Sequence, residues 1–335
     1  MPASSIDFVS LGMVVLDELR LPDGRTLQNC IGGSGAYSTL GARIVTNSPG
    51  SVGSFILAGN DFPDEVTELI RGWGLTSELE FDNDRNSTRG LLEYLDEDFG
   101  RKSFRYTTDP LQPVPRDLSP RMLSSQSFHM LYRPTVLISE VEQLVQLRSE
   151  IDIHEKPIVV WEPFPSLCVP ENLGIHVEAC KVVDVFSPNH LELLGLFGEP
   201  ANPFNSQVIE RYARRILDAS TAAGRIQAQH HAVVVRAGEH GCFVISQQTE
   251  FWLPPYHKSS SKVVDATGGG NTFLGAFTIT LQRTGDLMRA AIAGSVAASF
   301  AIEQIGLPQR SQANGMEYWN GESVQKRLAS YGNTN

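Results

Sequence analysis

The stretch Val263-Val264-Asp265-Ala266-Thr267-Gly268-Gly269-Gly270-Asn271-Thr272-Phe273-Leu274-Gly275-Ala276-Phe277 constrains the fold more than any other part of the chain. A β-branched pair leads into three consecutive glycines, and from Asn271 to Thr284 the apolar residues Phe273, Phe277 and Leu281 recur every four positions. The pattern predicts strand, glycine turn and helix, in that order. Glycines directly ahead of a helix permit a sharp bend and leave unpaired N–H groups at the positive end of the helix dipole, where a phosphate fits. A tight loop that needs glycine for positive φ and binds nothing accounts for the triplet equally well on these residues alone. The stretch matches neither a P-loop nor a complete G-x-G-x-x-G, so its surroundings must decide.

Those surroundings are ample. At 335 residues and 41% hydrophobic content, the chain can bury a large core. A net charge of −11 argues against a nucleic-acid or anionic-membrane partner, since both require basic faces, but leaves room for a small polyanion such as ATP at a locally positive site. Cys30, Cys168, Cys180 and Cys242 are far apart with no C-x-x-C spacing, which suggests reduced, mostly buried thiols rather than zinc ligands or a disulfide framework. No apolar run approaches the roughly 20 residues that span a bilayer, and no basic segment followed by an apolar one opens the chain. A cytoplasmic location is therefore expected.

Ile6 to Gly12 reads as a strand, followed by Met13 to Glu18, which sets Asp17 at a strand end where α/β proteins place ligand groups. Leu19 to Ile31 alternates around the turn Pro22-Asp23-Gly24 and predicts a hairpin standing apart from the main sheet. Gly32 and Gly33 open a small-residue helix ending near Val45, where either a ligand or close helix–sheet packing explains the small side chains. Val52 to Leu57 reads as a strand, and Asp61 to Arg71 as a helix with Asp61 as N-cap and Gly72 beyond its end. Gly90 to Leu95 and Lys102 to Tyr106, joined by a turn over 96–100, predict a second hairpin, and the Pro-rich segment Pro110 to Pro120 reads as the return linker.

Beyond it, strands and helices alternate. Strands are expected at Ser127 to Tyr132, Pro157 to Trp161, Val182 to Phe186, Ala232 to Ala237 and Cys242 to Ser246. Helices are expected at Ser139 to Ser149, within Asn189 to Gly198, and at Asn205 to Ala223. Val-rich strands apolar on both faces indicate a mostly parallel sheet between helical layers. The tail 331–335 is expected to fray.

Taken in order, these pieces resemble the ribokinase-like (pfkB) family of small-molecule kinases over nearly the whole chain. Val263 to Phe277 is similar to that family's C-terminal signature. On that resemblance Asp265 matches its first aspartate, with a nucleotide-side role, and Gly268, Gly269 and Gly270 match the anion hole that holds the transferring phosphoryl group. Gly32-Gly33 is similar to the N-terminal glycine motif, and Asp17 stands where many members hold a substrate hydroxyl. Asn189 and Glu192 resemble the N-x-x-E motif that helps organise magnesium, although Asn189 as a simple helix cap explains the same residues. Gly238 and Gly241 resemble the G-x-x-G segment near the nucleotide phosphates, and the two hairpins match the family's lid. The resemblance implies a three-layer α/β/α domain over 1–330, with lid strands from about 14–31 and 88–107.

Two departures bear on activity. Asn271 stands where the signature has its catalytic aspartate, and an amide accepts a hydrogen bond but takes no proton near neutral pH. Loss of a general base typically costs about 10²–10⁴ in rate. Phosphoryl transfer depends chiefly on positioning and charge neutralisation, so the loss can be partial. Asp17 or Asp265 would have to substitute, and Asn271→Asp is expected to raise turnover at least about tenfold if the base alone is missing. Tyr37, close to where sugar kinases often carry a small polar residue, either narrows the pocket, stacks on a ring or packs beneath the lid. The Gly-Gly-Gly-Asn run with this tyrosine is similar to a fungal branch of the family named for maintenance of killer virus. Glu162, ending a strand in Trp161-Glu162-Pro163, is a further candidate for lining the pocket.

The expectation is thus ATP-dependent phosphorylation of a hydroxyl on a small sugar-like or nucleoside-like molecule, with Mg2+ near Glu192 and a homodimer through the lid allowed. The alternative is an inactive kinase-fold protein that binds nucleotide or metabolite as a scaffold or sensor.

Overall fold

The computed structural model describes residues 5–97, 99–221 and 230–332. From the N-terminus, β1 (Phe8–Ser10) is followed by β2 (Val15–Arg20), β3 (Thr26–Gly32), α1 (Ser34–Ile44), β4 (Val52–Gly59), α2 (Asp64–Arg71), β5 (Thr76–Asp82), β6 (Arg89–Tyr94) and β7 (Lys102–Tyr106). The middle of the chain gives α3 (Pro120–Leu123), β8 (Ser127–Leu131), α4 (Pro134–Glu150), β9 (Ile158–Glu162), α5 (Leu173–Cys180), β10 (Val185–Phe186), α6 (His190–Leu196) and α7 (Ser206–Thr221). Then come β11 (Ala232–Arg236), β12 (Cys242–Ser246), β13 (Glu250–Leu253), α8 (Gly269–Thr284), α9 (Leu287–Ala301), β14 (Arg310–Ala313), β15 (Met316–Trp319) and α10 (Val324–Gly332).

A nine-stranded sheet in the order β13-β12-β11-β10-β9-β8-β1-β4-β5 forms the middle layer. It is parallel from β11 to β5 and antiparallel at β12 and β13. Period-2 alternation divides its side chains between two cores. Val159, Trp161, Val233 and Val235 pack under residues of α4 to α7, whereas Ile158, Val160, Val234 and Val244 pack under α1, α2, α8, α9 and α10. Both faces are buried, which is why the strands read as continuous valine runs. Among these contacts Phe277 is fully buried in α8, and its truncation to Ala would cost about 3–5 kcal/mol. Small residues bring α1 against α8: a Cβ on Gly275 would stand 1.7 Å from the Ser38 carbonyl oxygen.

A separate four-stranded sheet, β3-β2-β6-β7, is built from the two predicted hairpins, joined by parallel pairing of β2 with β6. Burial of Leu19, Leu21, Leu92 and Tyr94 gives it a core of its own.

Several local expectations are corrected. Asp61 does not cap α2, because Pro63 precedes the first helical residue and fixes the entry; the Asp61 carboxylate instead accepts from Ser87 N and Arg89 Nε, both at 2.7 Å. Val263 and Val264 form no strand. They are an extended connection in which the N–H groups of Val264 and Asp265 donate to the Ile302 carbonyl at 2.8 and 3.2 Å, at the end of α9. Tyr331, assigned to the fraying tail, is a buried residue of α10 whose hydroxyl donates to the Pro254 carbonyl. Residues 222–223 of the expected Asn205 to Ala223 helix, position 98 in the second hairpin turn and residues 333–335 of the tail lie outside the described residues.

Candidate active site

Because the parallel strands share a direction, β9 and β11, the two neighbours of β10, end in Glu162 and Arg236 at the same edge where β10 leads into Ser187-Pro188-Asn189. The head of α8 stands over this edge. Gly268 is its N-cap in the left-handed region at φ 75°, with no side chain satisfying the first turn. The first-turn N–H groups of a helix have no intrahelical acceptor; that of Gly269 donates to the Ala266 carbonyl at 3.2 Å, which leaves those of Gly268 and Gly270 as donors at the positive dipole end.

Each outer glycine of the triplet has a specific neighbour. A Cβ on Gly268 would lie 2.3 Å from the Tyr37 ring, and a Cβ on Gly270 would lie 2.3 Å from an Arg236 guanidinium nitrogen. Tyr37 is 4% exposed, with its ring against the Gly268 turn.

Asn271 donates its side-chain Nδ2 to Glu162 Oε2. Glu162 in turn faces Arg236 Nη1 at 2.8 Å and His129 Nε2 at 3.4 Å, and His129 Nδ1 lies 3.0 Å from Ser10 Oγ. Burial pushes the Glu162 carboxyl up, but the Arg236 guanidinium and His129 outweigh it and hold the group below its usual range. Arg236 Nη2 donates to the Ser187 carbonyl at 3.0 Å and lies 3.6 Å from Glu192 Oε2.

Asn189 and Glu192 form a reciprocal cap on α6. Asn189 Oδ1 accepts from Glu192 N at 2.8 Å, while the two Glu192 oxygens accept from Asn189 N and Asn189 Nδ2, both at 2.7 Å. Burial pushes Glu192 up to about 7 despite Arg236, and Glu162 adds to the rise. Each Glu192 oxygen thus accepts one hydrogen bond from Asn189, and the Arg236 guanidinium lies beside Oε2. Among the described residues no three His, Cys, Asp or Glu side chains are grouped to hold a metal ion. Gly238 and Gly241 bound the turn after β11, both at positive φ, and His240 between them stacks on Phe204 at 3.6 Å between ring centres.

Asp265 accepts from both strands of the second hairpin. Tyr94 Oη donates to its Oδ2 at 2.6 Å, and Lys102 Nζ lies 3.2 Å from its Oδ1 and also bonds Thr267 Oγ1. Thr267 N and Oγ1 reach the same Oδ1 at 3.0 and 2.7 Å. Burial and the Asp265 charge push the Tyr94 phenol up, keeping it a donor.

Asp17 lies within the lid sheet, opposite Cys30 and Gly90. A Cβ on Gly32 would stand 1.9 Å from Asp17 Oδ2 and one on Gly90 2.3 Å from Oδ1, so the carboxyl fills the space two side chains would take. Its Oδ1 is buried with no hydrogen-bond partner, and burial pushes the group up to about 7. Gly33, at φ 87°, makes the turn into α1. Tyr37 is sensed electrostatically by both Asp17 and Asp265. Tyr106, within the field of Asp17, lines a cleft of about 640 Å³ with Arg85, Asn86, Thr108 and Pro110.

The structure thus gathers Gly268, Gly269, Gly270, Asn271, Asn189, Glu192 and Glu162 at one strand edge, with Asp265 closing it from the lid side. Asp17, Gly32 and Gly33 form a second group, joined to the first through Tyr37. Sequence reasoning missed Arg236, Tyr94 and Lys102. Arg236 had one signal, a lone charge ending a valine strand two residues before Gly238; Tyr94, buried in the lid core, and Lys102, on the exposed strand β7, are brought to Asp265 by the register of the hairpin alone.

The chain matches the family described as pfkB family carbohydrate kinase over residues 20–312. It is 32% identical to an uncharacterised protein of Schizosaccharomyces pombe, with 98% of this chain and 94% of that protein covered. Protein MAK32 of Saccharomyces cerevisiae is 31% identical over 96% of this chain and 91% of its own length. Among solved structures, a protein assigned as ribokinase II of Escherichia coli, in complex with ATP and Mg2+, superposes with a TM-score of 0.67 at 16% identity, covering 98% of this chain and all of that one.

Proposed function

The chain belongs to the pfkB family of carbohydrate kinases, and from that premise we propose that it transfers the terminal phosphoryl group of ATP to a hydroxyl of a small sugar-like or nucleoside-like molecule. The observation that carries this reading is the head of α8, which no side chain of Gly268 caps and where Gly268 and Gly270 offer N–H donors beneath a lid fastened to Asp265. The terminal phosphate of ATP sits in this cradle, with the nucleotide extending past Gly238, Gly241 and Asn189. Magnesium enters as part of the ATP co-substrate. The acceptor hydroxyl lies on Asp17, whose raised affinity for protons suits it to receive one near neutral pH in place of Asn271. The lid excludes water as a competing acceptor.

A screen for phosphorylated products from pooled metabolites and MgATP, read by ³¹P NMR and mass spectrometry, tests it. No product from a panel of sugars, polyols and nucleosides sinks the kinase reading. The Asn271 bond to Glu162 supports a second reading, a nucleotide-binding scaffold without turnover. In that case MgATP shifts the melting temperature while the same screen stays empty. Exposed Phe104 and Tyr106 on edge strand β7 suit pairing of two copies through the lid, and light scattering of the purified chain decides that point.

A further inference from the structure

The structure assigns Arg236 the role of a resident cation for the terminal phosphate of a nucleoside triphosphate. This rests on the reading that the phosphate occupies the Gly268-Gly269-Gly270 cradle. Four observations meet at this side chain. First, Arg236 occupies the volume that a Cβ on Gly270 would need, at 2.3 Å. Gly270 is not among the glycines at positive φ, so what a side chain there would meet is the Arg236 guanidinium and not a backbone constraint. Second, the guanidinium is fixed rather than free to wander. Its Nη1 lies 2.8 Å from Glu162 Oε1, its Nη2 donates to the Ser187 carbonyl at 3.0 Å, and the side chain is 11% exposed. Third, its Nε is buried without a hydrogen-bond partner. Fourth, Glu192, whose two oxygens accept from Asn189, lies 3.6 Å from Arg236 as a second carboxylate beside the guanidinium.

The chemistry follows from the charges. Phosphoryl transfer proceeds with charge on the equatorial oxygens of the migrating group, and positive charge held at those oxygens is what a site chiefly supplies. Arginine presents a planar fork of donors that stays charged at any working pH and matches phosphate geometry. Here such a fork is preset beside the cradle, tethered by Glu162 and Ser187. The two carboxylates keep the uncomplexed site from carrying unbalanced charge, and an arriving phosphate competes with Glu162 for Nη1. It follows that the protein holds the phosphate tail of ATP through its own side chain, and that affinity for ATP survives removal of magnesium to an unusual extent.

Calorimetric titration of the full chain with ATP and with AMP, each with magnesium and with EDTA, tests this. The expected result is wild-type affinity for ATP that falls by no more than about threefold in EDTA, and a drop of about tenfold or more for Arg236→Gln in EDTA with AMP binding unchanged. Arg236→Lys should recover part of the loss, since the charge remains and the fork does not. Because Arg236→Gln leaves Glu162 without its partner, Arg236→Gln/Glu162→Gln serves as the variant of matched local charge, and it decides the matter if the single variant does not fold. Wild-type ATP binding that disappears in EDTA, or Arg236 variants that bind ATP as wild type does, overturns the assignment while leaving the nucleotide site intact. Failure of the wild type to bind ATP in either buffer overturns the nucleotide reading itself, and the assignment with it.

Discussion

Asn271 donates its side-chain amide to the buried carboxylate of Glu162, which Arg236 and His129 hold from the other side. An amide at position 271 is therefore matched to its neighbour. An aspartate there would set two carboxylates in contact, and like charges at that range force one of them to keep a proton. The tenfold gain expected from the sequence for Asn271→Asp assumes an otherwise neutral pocket. With Glu162 present, the single variant should lose roughly 1–3 kcal/mol of stability and gain no turnover. Asn271→Asp/Glu162→Gln restores one amide and one carboxylate, and here the gain of about tenfold or more should appear. Urea melts with initial rates on both variants check this, and a faster, fully stable Asn271→Asp protein would refute it.

Asp17 sets a pH dependence of stability. Burial moves its carboxyl from 3.8 to about 7 in the folded chain. Between those values the native state holds a proton that the unfolded state has released, so the contribution is fully present below 3.8 and is lost as pH rises through 7. Over that window it amounts to roughly 4 kcal/mol. Asp17→Asn carries no charge to desolvate. Its stability should exceed that of wild type at pH 8, with the difference shrinking toward pH 4, while acceptor binding is lost. Denaturant titrations at both pH values settle it; a difference independent of pH would show that the native carboxyl titrates normally.

Gly268 and Tyr37 are a matched pair. At φ 75° any side chain is strained, and the ring occupies the place its Cβ would take. Gly268→Ala should cost about 1–3 kcal/mol. Combining it with Tyr37→Ala should recover the steric part, leaving about 1 kcal/mol for the backbone term beyond the cost of losing the ring. A double-mutant cycle in stability measures the coupling, and strict additivity would mean the ring moves aside freely.

What the sequence made legible follows from periodicity. Valine runs and four-residue spacing report burial directly, so the sheet strands Ala232–Arg236 and Cys242–Ser246 and helix α8 emerge near their observed limits. Short or polar elements carry no such signal. The strand Thr76–Asp82 sets only Leu79 and Phe81 among Glu78, Glu80 and Asp82 at a sheet edge, with Phe81 itself exposed, and Leu173–Cys180 is a helix with little amphipathic contrast. Val263 and Val264 have strand composition, but the N–H groups of Val264 and Asp265 are taken up by the Ile302 carbonyl at the end of α9. At the site, motif order singled out Gly268-Gly269-Gly270 and the pair Asn189 and Glu192, which cap α6. The neighbours that decide its chemistry arrive from distant strands: Arg236 from β11, Glu162 from β9, and Lys102 from the lid. Such juxtapositions depend on register, which one-dimensional patterns leave open.

The lid is fastened to the loop 265–268 by two side chains with different chemistry. Tyr94 donates an uncharged hydroxyl to Asp265 Oδ2, and Lys102 adds a cation at Oδ1 while also bonding Thr267. The Asp265 side chain is 2% exposed and Lys102 28%, so the ion pair is partly screened and weaker than its geometry alone implies. Removing the Tyr94 hydroxyl leaves a buried acceptor with fewer donors and should cost more than removing the lysine, about 1–3 kcal/mol against about 1. Opening of β6 and β7 should therefore speed up more in Tyr94→Phe than in Lys102→Met, as read by amide hydrogen exchange across 89–106. Because an open lid admits water to the cradle, both variants should raise ATP hydrolysis relative to transfer, and high salt should mimic Lys102→Met but not Tyr94→Phe. Exchange rates in the hairpin that match wild type in both variants would mean that the lid is held by its own core of Leu19, Leu21, Leu92 and Tyr94 rather than by its grip on Asp265.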